Sequence, residues 1–239
     1  AASFADGLVP GQEYWVNRFK EDIPVLSLPF DFTRPPVQGF EGGRCDFLLP
    51  QPLVTSLEAL AEDEKATMYM VLLAAFTIML SKLSGQDDIV VGSPAAGRPH
   101  PKLQPLMGMF VNSIALRNRP RGENTFLEFL SEVKTHTLQA LEHQDYPFDR
   151  LVEQVVVRRD LSRNPIFDVM FSFGNMERKR LTVPGLELTP YSLEHTVSVF
   201  DLTLSVSPEE GQMNCTFEYS TNLFKPQTME RWSRYFEVL

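Results

Sequence analysis

The spacing of apolar positions changes several times along the chain, and each change marks an element. Residues 10–20 (PGQEYWVNRFK) read as a helix with Pro10 near its first turn. Residues 21–44 break that pattern with Pro24, Pro29, Pro35 and Pro36, then Gly39, Gly42 and Gly43. Prolines at that density prevent a helix and favour an extended surface path. A connecting segment over residues 21–50, lying across the fold, is therefore predicted. Thr55-Ser-Leu-Glu58 reads as a capping box that opens a short helix. Thr67 caps the next helix and Gly85 ends it. Its stretch Met68–Leu80 is so apolar that the helix must be buried on most sides.

Further on, Asp88–Gly92 predicts a short buried strand, residues 93–105 a Pro- and Gly-rich loop, and Phe110–Leu116 a second strand. Thr125-Phe-Leu-Glu128 is another capping box. Behind it Phe126, Phe129, Leu130, Val133, Ala140 and Leu141 recur at helical spacing until His143, ahead of Pro147. A short helix over 148–156 follows. Residues 165–173 alternate, with Phe167, Val169, Phe171 and Phe173 on one face. Residues 200–206 and 212–220 predict a hairpin turning at Pro208–Gly211, with Met213, Cys215, Phe217 and Tyr219 pointing one way. Pro226 starts a last helix that turns Met229, Trp232 and Phe236 inward. Helices alternating with strands early and hairpin strands late predict an α/β fold, a mixed sheet with helices packed on it.

Composition narrows the function classes. The 239 residues fit one large domain or two small ones, and 43% hydrophobic content supplies a sizeable core. A net charge of -9 argues against a nucleic-acid surface, which needs a basic face. Cys45 and Cys215 lack metal-ligand spacing and read as unpaired core thiols in a reducing cytosol, so a cytoplasmic location is expected. Residues 1–20 carry no signal-peptide pattern, and Met68–Leu80 falls short of the ~20 residues that span a bilayer; no membrane partner is expected.

The four histidines, His100, His136, His143 and His195, are nowhere adjacent. There is no His-Glu-x-x-His, Cys-x-x-Cys, nucleophile elbow or phosphate loop, so no metal site is expected. Three segments hold the polar chemistry. Met107–Ser113 leads into a strand; Gly108 permits a tight turn, and Asn112 is a polar residue that needs a partner if buried. In His143–Asp149, His143 ends a helix and Asp145 can cap the following turn. This cluster reads either as a functional site or as a structural corner anchored by Tyr146 and Phe148. Arg158–Pro165 sets Arg158, Arg159 and Arg163 around Asp160. It reads either as an anion clamp of forked donors or as a loop held by Arg159–Asp160 and Asn164–backbone bonds.

Taken in order, GMFVNS (108–113), HQDYPFD (143–149) and RDLSRNP (159–165) resemble three signature motifs of the condensation domains of non-ribosomal peptide synthetases. The departures, Ser113 for Thr and Asp149 for Glu, are conservative, and the flanks 84–98 and 200–204 are similar as well. The resemblance runs from about Gln12 to Leu239. It implies a two-lobed, chloramphenicol-acetyltransferase-like domain with a tunnel between the lobes. Carrier proteins deliver thioesters there on phosphopantetheine arms, and the acceptor amine attacks the donor thioester.

The family's His-His-x-x-x-Asp-Gly motif belongs to the N-terminal lobe, and these residues do not contain it. The resemblance therefore implies that residues 1–239 are a C-terminal lobe, inactive alone, with no catalytic residue and no cofactor bound directly. Gly108, Phe110, Asn112 and Ser113 are expected to border the tunnel, with Asn112 pointing toward it. His143 and Asp145 are expected to support that wall. Arg159, Asp160, Arg163 and Asn164 are expected to order a loop near the lobe interface. The expected partners are the N-terminal lobe, peptidyl carrier proteins and the adenylation domain. Arg178 and Arg180, with the last helix, are candidates for carrier docking. The exposed lobe face is expected to promote self-association.

Overall fold

Residues 4–98, 100–103, 105–156, 160–174, 186, 196–209 and 211–239 are described by a computed structural model, with side chains from Pro10 onward. The first helix, α1 (Phe4–Phe19), starts earlier than its sequence pattern suggests and carries Pro10 inside it. Proline removes one backbone donor. The helix continues past it because Trp15 and Phe19 anchor its second half in the core.

Part of the expected connecting segment is a strand. Residues after Phe40 form β1 (Gly42–Leu49), at the sheet edge. Cys45, Phe47 and Leu49 turn to the core, while Arg44, Asp46 and Leu48 face out. The prolines upstream mask this alternation. The next helix, α2 (Gln51–Asp63), begins one turn before Thr55, so the proposed capping box there is not one. Pro50 and Pro52 set that earlier start, since proline suits a first turn whose N–H groups have no helical partner. Ser56 instead donates back to the Pro52 carbonyl at 2.9 Å.

Thr67 and Gly85 bound α3 (Met68–Ser84) as expected, with Thr67 accepting from the Met70 amide. Leu73, Ala74, Phe76 and Leu80 are fully buried, which fits the nearly all-apolar sequence. The strands β2 (Ile89–Ala95) and β3 (Asn112–Asn118) pair antiparallel. The second starts two residues later than predicted, since Phe110 turns into the preceding loop to meet Arg98. The capping box at Thr125 and Glu128 is formed and opens α4 (Phe126–Glu142). Then come α5 (Phe148–Val155), β4 (Val169–Phe173), β5 (Leu202–Glu209), β6 (Gln212–Ser220) and α6 (Pro226–Val238).

The six described strands form one mixed sheet in the order β1-β6-β5-β4-β2-β3. β4 runs parallel to both β2 and β5, and the other pairs are antiparallel. Register aligns Leu202, Leu204 and Val206 with Tyr219, Phe217 and Cys215 on one face, and all six side chains are buried. Met229, Trp232 and Phe236 of α6 bury on the fold, as their spacing predicts. The opposite face between β1 and β4 carries Arg44, Asp46, Ser172, Ser205, Thr216 and Glu218, all exposed or half-buried. Cys45 and Cys215 are both free thiols, and burial pushes the Cys215 thiol up to about 12.

No single helix among the described residues is long and apolar enough to cross a membrane. The α2–α3 pair passes that test only together, across a bend of 107°.

Phe171 fills the centre of the core, with its ring 5.2 Å from Tyr69 and 6.1 Å from Phe76. Replacing it with Ala leaves a cavity and should cost about 3–5 kcal/mol. Urea unfolding of Phe171→Ala checks this, and a loss under ~1 kcal/mol would show that the core collapses around the gap.

Candidate functional site

Two polar knots, one at the edge strand β3 and one at the starts of the inner strands β4 and β5, hold the three sequence segments. The first is centred on Asn112, which opens β3. Its Nδ2 donates to the carbonyls of Gln144 and Tyr146, both at 2.8 Å, and its Oδ1 accepts from the Phe148 amide at 3.2 Å. One side chain thus ties the start of β3 to the whole turn between α4 and α5. The polar partner that a buried Asn needs is this corner, so the amide is spent inside the chain.

His143 caps the end of α4, and its carbonyl accepts from Trp15 Nε1 at 2.9 Å. Its ring lies 4.5 Å from that of Tyr14. Asp145 is exposed and does not cap α5, which begins after Pro147 with no side-chain cap. Ser113 continues β3 opposite Pro94.

Gly108 and Phe110 lie in the loop from β2 to β3. Gly108 adopts φ +153. Phe110 is half-buried, with the Arg98 guanidinium 4.2 Å from its ring centre. Around them Leu106, Met107, Met109 and Val111 are exposed, Met107 fully and Met109 to 92%. Both methionine side chains are turned to solvent.

The second knot is built on two aspartates that begin the parallel strands. Asp168 precedes β4 and Asp201 precedes β5; both are buried, and the Asp201 amide donates to the Asp168 carbonyl at 2.9 Å. Arg163 Nη1 reaches Asp168 at 3.0 Å. Arg34, from the connecting segment, pairs with both oxygens of Asp201 and donates to the Ser162 carbonyl at 2.9 Å. Asn164 gives its amide to Asp168 at 3.2 Å and its side chain to the Val199 carbonyl at 2.8 Å. The Asn164–backbone bond expected from sequence is present.

Asp160 accepts from the Ser162 hydroxyl and amide, which hold its carboxyl below the usual range. Arg159 lies outside the described residues, as do Arg178, Arg180 and His195. The Arg163 fork is occupied by Asp168 and Asp160; the expected Arg159–Asp160 bond lies outside the described residues.

Sequence reasoning missed Arg34, Asp168 and Asp201. The two aspartates, though not their pairing, left a signal: Phe-Asp-Val at 167–169 and Phe-Asp-Leu at 200–202 each set a carboxylate inside an apolar run. Phe167 leaves the alternation that assigned it to β4. Its ring lies tilted against Phe148 at 5.2 Å and stacks on Phe200 at 5.6 Å, joining α5 to the two strand starts. Burial, then the Asp201 charge, pushes Asp168 up to about 6, against the pull of Arg163 and Arg34.

Between the knots lies a cavity of about 1080 Å³, lined by Ile23, Val90, Phe148, Val152, Asp160 and Asp168 among others. The α5 helix of the second segment forms one wall and the 160–168 loop another. Among the described residues no cluster of His, Cys, Asp and Glu is arranged to hold a metal.

The condensation-domain family profile matches residues 7–239, and the chain belongs to that family of non-ribosomal peptide synthetase domains. It is 49% identical over 227 residues to tyrocidine synthase 3 of Brevibacillus parabrevis, covering 94% of this chain and 4% of that protein. It is 46% identical over 233 residues to gramicidin S synthase 2 of Aneurinibacillus migulanus, covering 97% and 5%. The chain thus spans less than a tenth of these relatives.

Among solved structures, a four-domain nonribosomal peptide synthetase bound to AMP and glycine superposes with TM-score 0.86 at 27% identity, over 99% of this chain and 19% of that one. The X-domain from teicoplanin biosynthesis shares the fold, with TM-score 0.86 at 22% identity over 99% and 54%. The α/β, acyltransferase-like architecture expected from sequence is the one observed.

Each knot yields a test. Asn112→Ala removes three hydrogen bonds and leaves two carbonyls and an amide to find new partners, at a cost of about 2–3 kcal/mol by chemical denaturation. For Asp168 the folded carboxyl is raised above its unfolded value of 3.8, so it contributes stability below about pH 4 that is lost as pH rises through about 6. Unfolding midpoints of the native chain and Asp168→Asn, compared between pH 4 and pH 7, should diverge in that sense; parallel curves would show that Asp168 titrates normally.

Proposed function

We propose that this chain is the C-terminal lobe of a peptide-bond-forming condensation domain. It closes the tunnel in which the acceptor's amine attacks the donor thioester carbonyl and the carrier thiol leaves. The observation that carries this reading is the loop at 106–111, whose Met107 is fully exposed and Met109 92% exposed while the core is fully packed. A lobe surrounded by water gains nothing from such side chains unless another surface meets them. The fraction of fold neighbours covered supports it: the chain spans 54% of the X-domain and 52% of the rhizomide starter condensation domain, about one lobe of two. The absence of an adjacent histidine pair from these residues agrees.

On this reading Gly108, Phe110, Asn112 and Ser113 form the wall at the loop. His143 and Asp145 belong to the corner that supports it, and Arg159, Asp160, Arg163 and Asn164 shape the loop beyond the cavity. No group of this chain exchanges a proton with substrate; that work falls to the N-terminal lobe. The phosphopantetheine arms arrive on peptidyl carrier proteins, and the adenylation domain is the other neighbour. A pure docking module is the weaker reading, because α6 spends Met229, Trp232 and Phe236 on the lobe's own core.

Incubated with aminoacyl-loaded donor and acceptor carriers, the chain alone should form no dipeptidyl thioester. Adding the N-terminal lobe should restore product, and Met107→Asp with Met109→Asp should reduce it at least tenfold while the unfolding midpoint holds. Turnover by the chain alone would overturn the assignment. By sedimentation velocity the free lobe should self-associate at high concentration, and the double Asp variant should be monomeric.

A further inference from the structure

The loop from β2 to β3 is long, lies mostly on the surface and has an apolar tip, yet it is folded around one side chain. Arg98 Nη1 donates to the carbonyl of Leu103 and, at 2.7 Å, to that of Leu106; Nη2 reaches the Gly108 carbonyl at 3.4 Å. The guanidinium carbon also lies 4.2 Å from the centre of the Phe110 ring. Carbonyls at 103, 106 and 108 and a ring at 110 thus close around a single cation.

The neck of the loop is equally tight. Gly97 holds φ +61, and a Cβ there would sit 1.8 Å from the Phe110 carbonyl oxygen. Residue 97 must therefore be glycine for Arg98 to enter the ring of carbonyls. Within the loop, the Leu103 amide donates to the His100 carbonyl at 2.8 Å, the Lys102 amide to His100 Nδ1 at 3.1 Å and the Leu106 amide to the Leu103 carbonyl at 3.2 Å.

These contacts have a common property: their partners lie within twelve residues of Arg98, in the loop itself. The β2–β3 ladder and the helix-side core are formed by other residues. We propose that Arg98 is a positioning residue for the recognition loop. It gathers the loop's carbonyls on its planar fork, stacks on Phe110, and so holds Leu106, Met107 and Met109 outward in one arrangement. The link from that arrangement to catalysis rests on the function proposed above; the ordering of the loop does not.

The chemistry of the fork distinguishes this role from a charge effect. A guanidinium presents several donors in one plane and a flat face for an aromatic ring, whereas an ammonium is a point charge that cannot span three carbonyls while stacked. Lysine should therefore fail where a simple cation would suffice.

Amide hydrogen exchange on the chain tests the proposal directly. In both Arg98→Gln and Arg98→Lys, exchange at Leu103 and Leu106 should accelerate at least tenfold, while β2, β3 and α3 amides keep their protection and the thermal midpoint is unchanged. Phe110→Leu, which removes only the stacking face, should loosen the same amides. Unchanged loop exchange in Arg98→Gln, loosening that spreads into β2 and β3, or full rescue by Lys would each overturn the proposal. In the complete two-lobed domain both Arg98 variants should lower kcat about tenfold. A loosened loop with undiminished kcat leaves the positioning role standing and removes the tunnel-wall assignment instead.

Discussion

Two carboxylates buried side by side at the starts of adjacent parallel strands set the terms for much of this fold. Parallel neighbours cannot be joined by a short hairpin, so nothing local fixes their relative height. Here Asp168 and Asp201 do so, joined by the Asp201 amide to Asp168 carbonyl bond and matched by Arg163 and Arg34. Burying charges is expensive, and such a cluster seldom stabilises more than well-packed apolar residues would. Its effect is on arrangement. Arg34 comes from the extended segment and Arg163 from the loop after α5, so both strand starts, the segment and the loop can take only one relative position without orphaning a charge. The raised pKa of Asp168 records the remaining imbalance of two acids crowded together away from water.

The Asn112 knot works at the edge strand β3 by a different means. It uses no charge, only the capacity of one amide to donate twice and accept once. It binds backbone groups, so identities around the corner matter less than the path of the chain. The α5 helix runs from this knot toward the charged one and covers the cavity between them. The segments that stood apart in sequence are thus mechanically continuous, although they do not converge on one reactive point.

Much of the fold was legible because burial imposes period. The α3, α4 and β6 patterns each have one dominant partner surface, and their sequences report it without ambiguity. Legibility failed where two local signals competed. Thr55 and Glu58 have the same spacing as Thr125 and Glu128, but prolines at 50 and 52 start the first helix a turn earlier and leave that box inside it. The alternation of β1 was hidden behind four prolines and a glycine pair. The charged knot was missed because its members are 34, 163, 168 and 201: pairing across such separations is written in the fold and not in any window of sequence. The anion-clamp reading came from the forked chemistry of the arginines alone, whereas Arg163 is committed to an internal carboxylate.

The contrast between the knots and the 106–111 loop bears on the function proposed above. In both knots the amide, the carboxylates and the arginine forks find their partners inside the chain, which is how a protein treats residues that maintain its own shape. The loop inverts this: its backbone carbonyls are gathered inward by Arg98, and its apolar side chains are sent outward. Inward polar and outward apolar is unfavourable for a surface that ends in water and favourable for one that ends against another apolar wall. A similar division holds across the sheet between β1 and β4, where one face is covered by helices and the other carries exposed or half-buried polar side chains. On the function proposed above, a loop ordered in this way has its shape fixed in advance, so that little ordering remains to oppose closure against a second surface.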